Sequence, residues 1–384
     1  MIFDHPTGII FGVAWMQGQW LGSYQGNTQG VVTVELDDAG DHYEGMVYVY
    51  PGNTIYPPIA GGVVTIDKSE NFALPIMTDV IDMRRGALVP WDAVKSNYPR
   101  ITLDPTIDTV WSCDMKNNVL VIDFTSKSSG SGKAHLTRSD GGRPPERKPL
   151  ANVKSWAAFK EYALTLDPNR YVFRGQESSA WRLRTFFHRS GRANLFRFVN
   201  QDIFQLHGHL SSLTEHHFNL KDELENAAFF SLVQHHGYPT PLLDWTHSPF
   251  IAAYFAFRKK KADGDFARIF VFDAREWQKD IRPVQLVCAA LPHFSVLSPL
   301  AINNPRMVPQ QALSTLANVD DIEAFIAFNE TQLFKKTYLE VIDLPVSERP
   351  QIMQELSLMG ITAGSMFPGL DGTCEQLRER NFSL

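Results

Sequence analysis

The sequence predicts an α+β protein, with an N-terminal all-β small barrel or sandwich followed by a C-terminal mixed α/β domain. Two observations carry this. Up to about residue 137 the chain is a series of short runs rich in Val, Ile, Tyr and Thr, among them VVTVEL, GMVYVY, GGVVTI and VLVIDF, separated by Gly, Asp and Asn turns. Past residue 145 the apolar residues recur with a helical period in SWAAFKEYALTL, LKDELENAAFFSLVQHH, HSPFIAAYFAFRKKK and SERPQIMQELSLMG, and the compact runs YVFRG, ARIFVFD and LEVIDLP lie between them.

Taken in order, WLGSYQGNTQGVVTVEL and DHYEGMVYVY read as one antiparallel meander with alternating faces and Gly-rich turns. Residues 126 to 149 combine a Ser/Gly run with a Gly/Pro/Arg cluster, the composition of a boundary. The border falls near residue 145, giving an N-terminal β domain over 1–145 and a C-terminal domain over 146–384. No internal repeat interrupts either part.

The chain of 384 residues is 44% hydrophobic, enough for two cores. Its net charge is −6; residues 1 to 150 hold 12 Lys/Arg against 17 Asp/Glu, and residues 151 to 384 hold 24 against 25. Neither part is basic, so nucleic-acid binding has no support in the charge. Three cysteines, Cys113, Cys288 and Cys374, lie far apart with no CxxC spacing, which fits a reducing cytosol and a cytoplasmic location. The opening MIFDHPTGIIFG has no secretory pattern, and no stretch nears the ~18 apolar residues of a membrane span.

Chemistry is expected in two stretches, VFRGQ (172–176) and QHHGYPTPLLDWT (234–246). Arg174 follows an apolar strand and precedes Gly175 and Gln176. A guanidinium there can fork onto a phosphate or carboxylate while glycine lets a ligand approach the backbone; it can equally be a structural arginine paired with a core carboxylate. The second stretch places His235, His236, Asp244, Trp245 and Thr246 in a loop between two helices, with Pro249 in the first turn of the second helix and Ser248 or Thr246 as its cap. Asp244 reads either as a site carboxylate or as a brace for the turn, and Trp245 as packing. The histidine pairs lack HxxxH or HExxH spacing, so no metal site is expected. GxSxG, Walker and GxGxxG motifs are absent too.

VFRGQESSAWRLRTFFHRS, LVQHHGYPTPLLDWTHSPFIAAYFAF, NPRMVPQQALST and ITAGSMFPGLDGTCEQL, in that order, resemble the FRG domain over about residues 152 to 384. The order of elements is also similar to ADP-ribosyltransferase folds. That resemblance implies NAD as substrate, Arg174 holding its phosphates or ribose, and Gly175, Gln176, His235, His236, Asp244, Trp245 and Thr246 around the cofactor. It places Gln310 and Gln311 where those folds carry a catalytic glutamate, with Glu340 in LEVIDLP as a substitute. Two functions follow. One is NAD-dependent ADP-ribosyl transfer to a macromolecular target, or NAD hydrolysis, in a bacterial toxin or antiphage effector whose β domain senses, targets or inhibits. The other is a non-catalytic module that binds a small nucleotide or a partner under control of the β domain. A purely structural reading pairs Arg174 with Asp244 across the core.

Overall fold

The computed structural model describes residues 16–128, 130–259 and 264–382. The opening twelve residues, read above as lacking a secretory leader, and Lys260 and Lys261 of the apolar helical segment lie outside the described residues. The chain divides into two compact units, Met1–Ser139 with Gly191–Asp202, and Asp140–Ser190 with Ile203–Leu384.

In the first unit the Val- and Ile-rich runs form β1 (Gly18–Gln25), β2 (Gln29–Asp38), β3 (Tyr43–Pro51), β4 (Ile59–Val64), β5 (Asn71–Met77), β6 (Asp79–Asp82), β7 (Ala87–Val89), β8 (Thr106–Asp114), β9 (Val119–Ser126) and β10 (Gly130–Arg138). They make one antiparallel sheet in the order β5-β8-β9-β10-β1-β2-β3-β4-β6-β7. The sheet curls on itself until its edge strand β5 meets β4. A Cβ on Gly61 would lie 2.3 Å from the Ile76 side chain and 2.4 Å from the Met77 carbonyl, so only glycine allows that approach. The result is a half-barrel of ten strands, larger than the small barrel expected. Alternation sets its core: on β8 Thr109, Trp111 and Cys113 are buried while Val110 between them is exposed.

β2 departs from alternation, being buried on both faces from Val32 to Asp37. The segment Gly191–Asp202 supplies the reason. Asp37, 1% exposed, accepts from Arg192 Nε at 2.7 Å and from the main-chain N–H groups of Ala193 (2.7 Å) and Asn194 (3.1 Å). Glu35 is sealed beside it and accepts from Gln19 Nε2 at 3.1 Å. Burial pushes the Glu35 carboxyl up to about 8, against the opposing pull of the Gln19 hydrogen bond. The folded state thus holds a proton on Glu35 that the unfolded chain releases near 4.5, and stability falls as pH rises from there through about 8. Glu35→Gln is expected to flatten this slope, read as urea midpoints of the β unit between pH 5 and 9.

The second unit carries a six-stranded sheet in the order β14-β15-β12-β11-β13-β16, with β11 at Tyr171–Gln176, β12 at Leu242–Thr246, β13 at Phe266–Asp273, β14 at Phe294–Leu297, β15 at Ala312–Ala317 and β16 at Leu339–Pro345. Its helices of nine or more residues among the described residues are α1 (Trp156–Thr165), α2 (Glu223–His235), α3 (Pro249–Phe257), α4 (Arg349–Leu358) and α5 (Leu370–Phe382). Apolar strands such as ARIFVFD read as continuous because both faces are covered. Ile269 and Val271 pack with Trp156, Phe159, Tyr254 and Ile352 on one side. Phe270 and Phe272 pack with Val172, Trp245, Trp277 and Phe294 on the other. No helix of the described residues is long and apolar enough to cross a membrane.

Candidate functional site

β11 and β12 are neighbours in the sheet, yet they share one register pair, Phe173 with Thr246. β11 pairs with β13 along its whole length, and β12 does the same with β15. The sheet therefore opens between β11 and β12 just beyond Phe173. Arg174 stands at that opening, where its Nη1 donates to the Asp244 main-chain carbonyl at 2.6 Å. A side chain thus satisfies an acceptor that a backbone N–H would satisfy in a continuous ladder.

This contact corrects the structural reading of Arg174, since the guanidinium meets the carbonyl of Asp244 and forms no ion pair with its carboxylate. The carboxylate instead accepts from Gln234 Nε2 at 2.6 Å, and Gln234 Oε1 accepts from the Thr240 hydroxyl. The side chain of Asp244 is 42% exposed, so it remains reachable from outside. Asp244 also lies within a strand rather than in the expected loop, and its bond to Gln234 ties that strand to the end of α2 across the turn.

Arg174 has further N–H groups to satisfy. Its Nε is buried without a partner among the described residues, and so is Oε1 of Gln176, two positions along the same strand and on the same face. Burial pulls the Arg174 guanidinium down to about 10; the Asp244 charge opposes this and nearby Arg189 adds to it. It stays a cation at neutral pH. Arg184 and Arg182 are committed to Asp320 and Asp321, whereas Arg189 lies over the Phe186 ring at 5.3 Å.

Gly175 answers to a different constraint from ligand approach. A Cβ there would lie 1.9 Å from the Ala252 carbonyl and 2.7 Å from the Ala256 nitrogen, so the residue exists to let α3 lie against β11. Ser248 caps α3, accepting from Ile251 N at 3.3 Å, with Pro249 in the first turn as the sequence predicts. Thr246 is buried, its hydroxyl accepting from Ser248 N at 3.1 Å. Trp245 is packed in the core, its Nε1 donating to Thr315 Oγ1 at 2.9 Å.

The remaining predicted residues separate. His235 turns inward, its Nδ1 2.9 Å from Asn304 Oδ1 and its Nε2 4.0 Å from Asp244 Oδ1, while its neighbour His236 is exposed. Arg306 Nη1 donates to the His235 carbonyl at 2.6 Å and its guanidinium lies over Phe367. Gln310 is buried and donates from Nε2 to the Met366 carbonyl at 2.8 Å. Gln311 is exposed in the left-handed region at φ +46°, and its carbonyl accepts from His247 N at 3.1 Å. Glu340 accepts from the Tyr162 hydroxyl at 2.8 Å and sits opposite Val271, on the α1 side of the sheet. Arg174 pairs with Phe270 and faces the other way. Glu340 therefore lies across the sheet from the opening.

The four motif stretches meet through these bonds: VFRG to LLDWT through Arg174, LLDWT to QHH through Gln234, QHH to NPR through Asn304 and Arg306, and PQQ to the FPG turn through Gln310. Sequence reading does not single out Gln234, Thr240 or Asn304. Gln234 and Asn304 lie inside the motif stretches, but nothing local signals bonds to partners 10 and 69 residues away. Among the described residues no group of three or more His, Cys, Asp or Glu is placed to hold a metal ion.

Residues 169–265 match the FRG domain, which here spans β11, α2, β12 and α3 and includes both Arg174 and Asp244. The chain thus carries an FRG domain, whose matched residues lie in the second unit except for 191–202, which belong to the first. No curated protein matches the chain.

Proposed function

We propose that the FRG domain binds an anionic nucleotide of the NAD class at the opening between β11 and β12, with Arg174 holding its phosphate. The observation that carries this reading is the unsatisfied pair on one strand face. Arg174 Nε and Gln176 Oε1, a donor and an acceptor, are both buried and unpartnered among the described residues. Leaving a buried polar group unpaired costs about 1–3 kcal/mol, more for a charged one, and a ligand that bonds both recovers it. A phosphate suits the fork of the guanidinium, and a ribose hydroxyl or amide suits the glutamine oxygen. Arg189 nearby adds positive potential.

A second reading, cleavage of NAD for ADP-ribosyl transfer or hydrolysis, draws on the exposed Asp244 carboxylate. Gln310 and Gln311 bring no charge to an oxocarbenium-like transition state, and Glu340 lies on β16, two strands from β11; Asp244 stands on β12, beside the opening. In either use the β unit serves as the sensing or targeting part. The test is a melting screen of the full chain with NAD, ADP-ribose, ADP and phosphate, run beside an assay of nicotinamide release. A ligand at ~100 times its Kd stabilises by ~2.7 kcal/mol, a rise of about 5 to 10 °C in the transition of the second unit. No shift with any of the four sinks the binding reading. Binding of NAD without nicotinamide release leaves binding and removes cleavage.

A further inference from the structure

We propose that the β unit is a receptor for a small, neutral, apolar molecule, held in a cavity inside the curled sheet. The cavity has a volume of about 130 Å³. A water needs only ~10–15 Å³ by such a measure, and an apolar cavity of about 150 Å³ is known to stay dry and take up benzene. The space therefore admits a molecule of one-ring size.

Its walls follow from register. Trp111 on β8 pairs with Ile122 on β9, Ile122 with Ala134 on β10, and Ala134 with Tyr24 on β1, so one row of inward side chains crosses four strands. A second row runs from Val32 on β2 through Val49 on β3 to Ile59 on β4. All seven line the cavity, and Ile76 on β5 closes the curl.

The class of ligand follows from what the wall lacks. No charged side chain lines the cavity, and its polar groups are Thr and Ser hydroxyls with two tyrosines. Several are already engaged: Thr109 Oγ1 donates to the Leu74 carbonyl at 2.6 Å and accepts from Trp111 Nε1 at 2.7 Å, and Ser126 Oγ donates to Asp104 Oδ2 at 2.6 Å. A carboxylate or ammonium inside would be desolvated without a partner, which excludes charged ligands. Ala134 supplies the room: it is buried in the wall between Ile122 and Tyr24, in a row whose other members are Trp, Ile and Tyr. Entry lies by Pro51, Tyr56, Ile101 and Leu103, which border the cavity and keep partial exposure.

The test is ligand-observed NMR titration of the full chain with toluene, with benzoate as the charged counterpart of the same ring. Toluene is expected to bind saturably and benzoate at least tenfold more weakly. Ala134→Phe, which fills the cavity, is expected to weaken toluene binding tenfold or more. Val110→Phe, on the exposed face of β8, is expected to leave it unchanged. Ala134→Val, a milder filling, is read in the same way with a several-fold loss, so the outcome does not rest on one variant folding. Absence of saturable toluene binding overturns the proposal, as does equal binding of benzoate or unchanged binding in folded Ala134→Phe or Ala134→Val.

Discussion

Asp37→Ala is expected to lower the stability of the β unit by about 3 to 5 kcal/mol, the range for removing one partner of a buried charged pair. The carboxylate is 1% exposed and collects three N–H groups from the segment Gly191–Asp202, which follows the VFRG strand in sequence but belongs to the first unit. Arg192 retains Asp202 at 2.6 Å, but the amides of Ala193 and Asn194 lose their acceptor. Two readouts check this. The urea midpoint of the unit should fall, and amide exchange at Ala193 and Asn194 should accelerate before the rest of the sheet. Unchanged exchange at both amides would show that the segment is held by something other than this carboxylate.

Gly175→Ala is expected to cost about 3 kcal/mol or more, at the upper end of overpacking. The added methyl would meet the α3 backbone at 1.9 Å, and a carbonyl inside a helix cannot swing aside as a long side chain can. α3 would have to lift from β11, opening the core that Ala252 and Ala256 share with Phe173 and Ile269. Chemical denaturation of the second unit measures it. A loss below about 1 kcal/mol would mean that strand and helix relax together.

These two sites show where the sequence was informative. The half-barrel strands were legible because Val, Ile and Tyr alternate there against Gly and Asp turns, and the covered sheet because YVFRG, ARIFVFD and LEVIDLP carry apolar residues on both faces. Arg174 on an apolar strand is legible for the same reason, but the strand runs on to Gln176, so Arg174 stands within it rather than at its end. The curl of ten strands into one sheet was not legible, because Gly61 reads locally as a weak point in β4 and its contact with β5 is made across the fold. Nor was the attachment of residues 191–202, whose carboxylate partner lies more than 150 positions earlier. Gly175 was legible as a close approach, but the thing that approaches is a helix. Asp244 reads as a loop residue because polar residues and prolines surround it; pairing with β15 through Ser314 makes it strand. The bonds from Gln234 and Asn304 that gather the motifs depend on the same long-range closure.

The proposal that Arg174 holds an anion, rather than only bracing the sheet, is open to direct measurement. Isothermal titration of the folded full chain with NAD, in the native protein, Arg174→Lys and Arg174→Ala, tests it most directly. Lysine keeps the charge and can still reach an acceptor, but it loses the fork. Saturable binding to the native protein is expected, with a weakening of about tenfold in Arg174→Lys and none measurable in Arg174→Ala. Binding that is unchanged in a folded Arg174→Ala protein would contradict it.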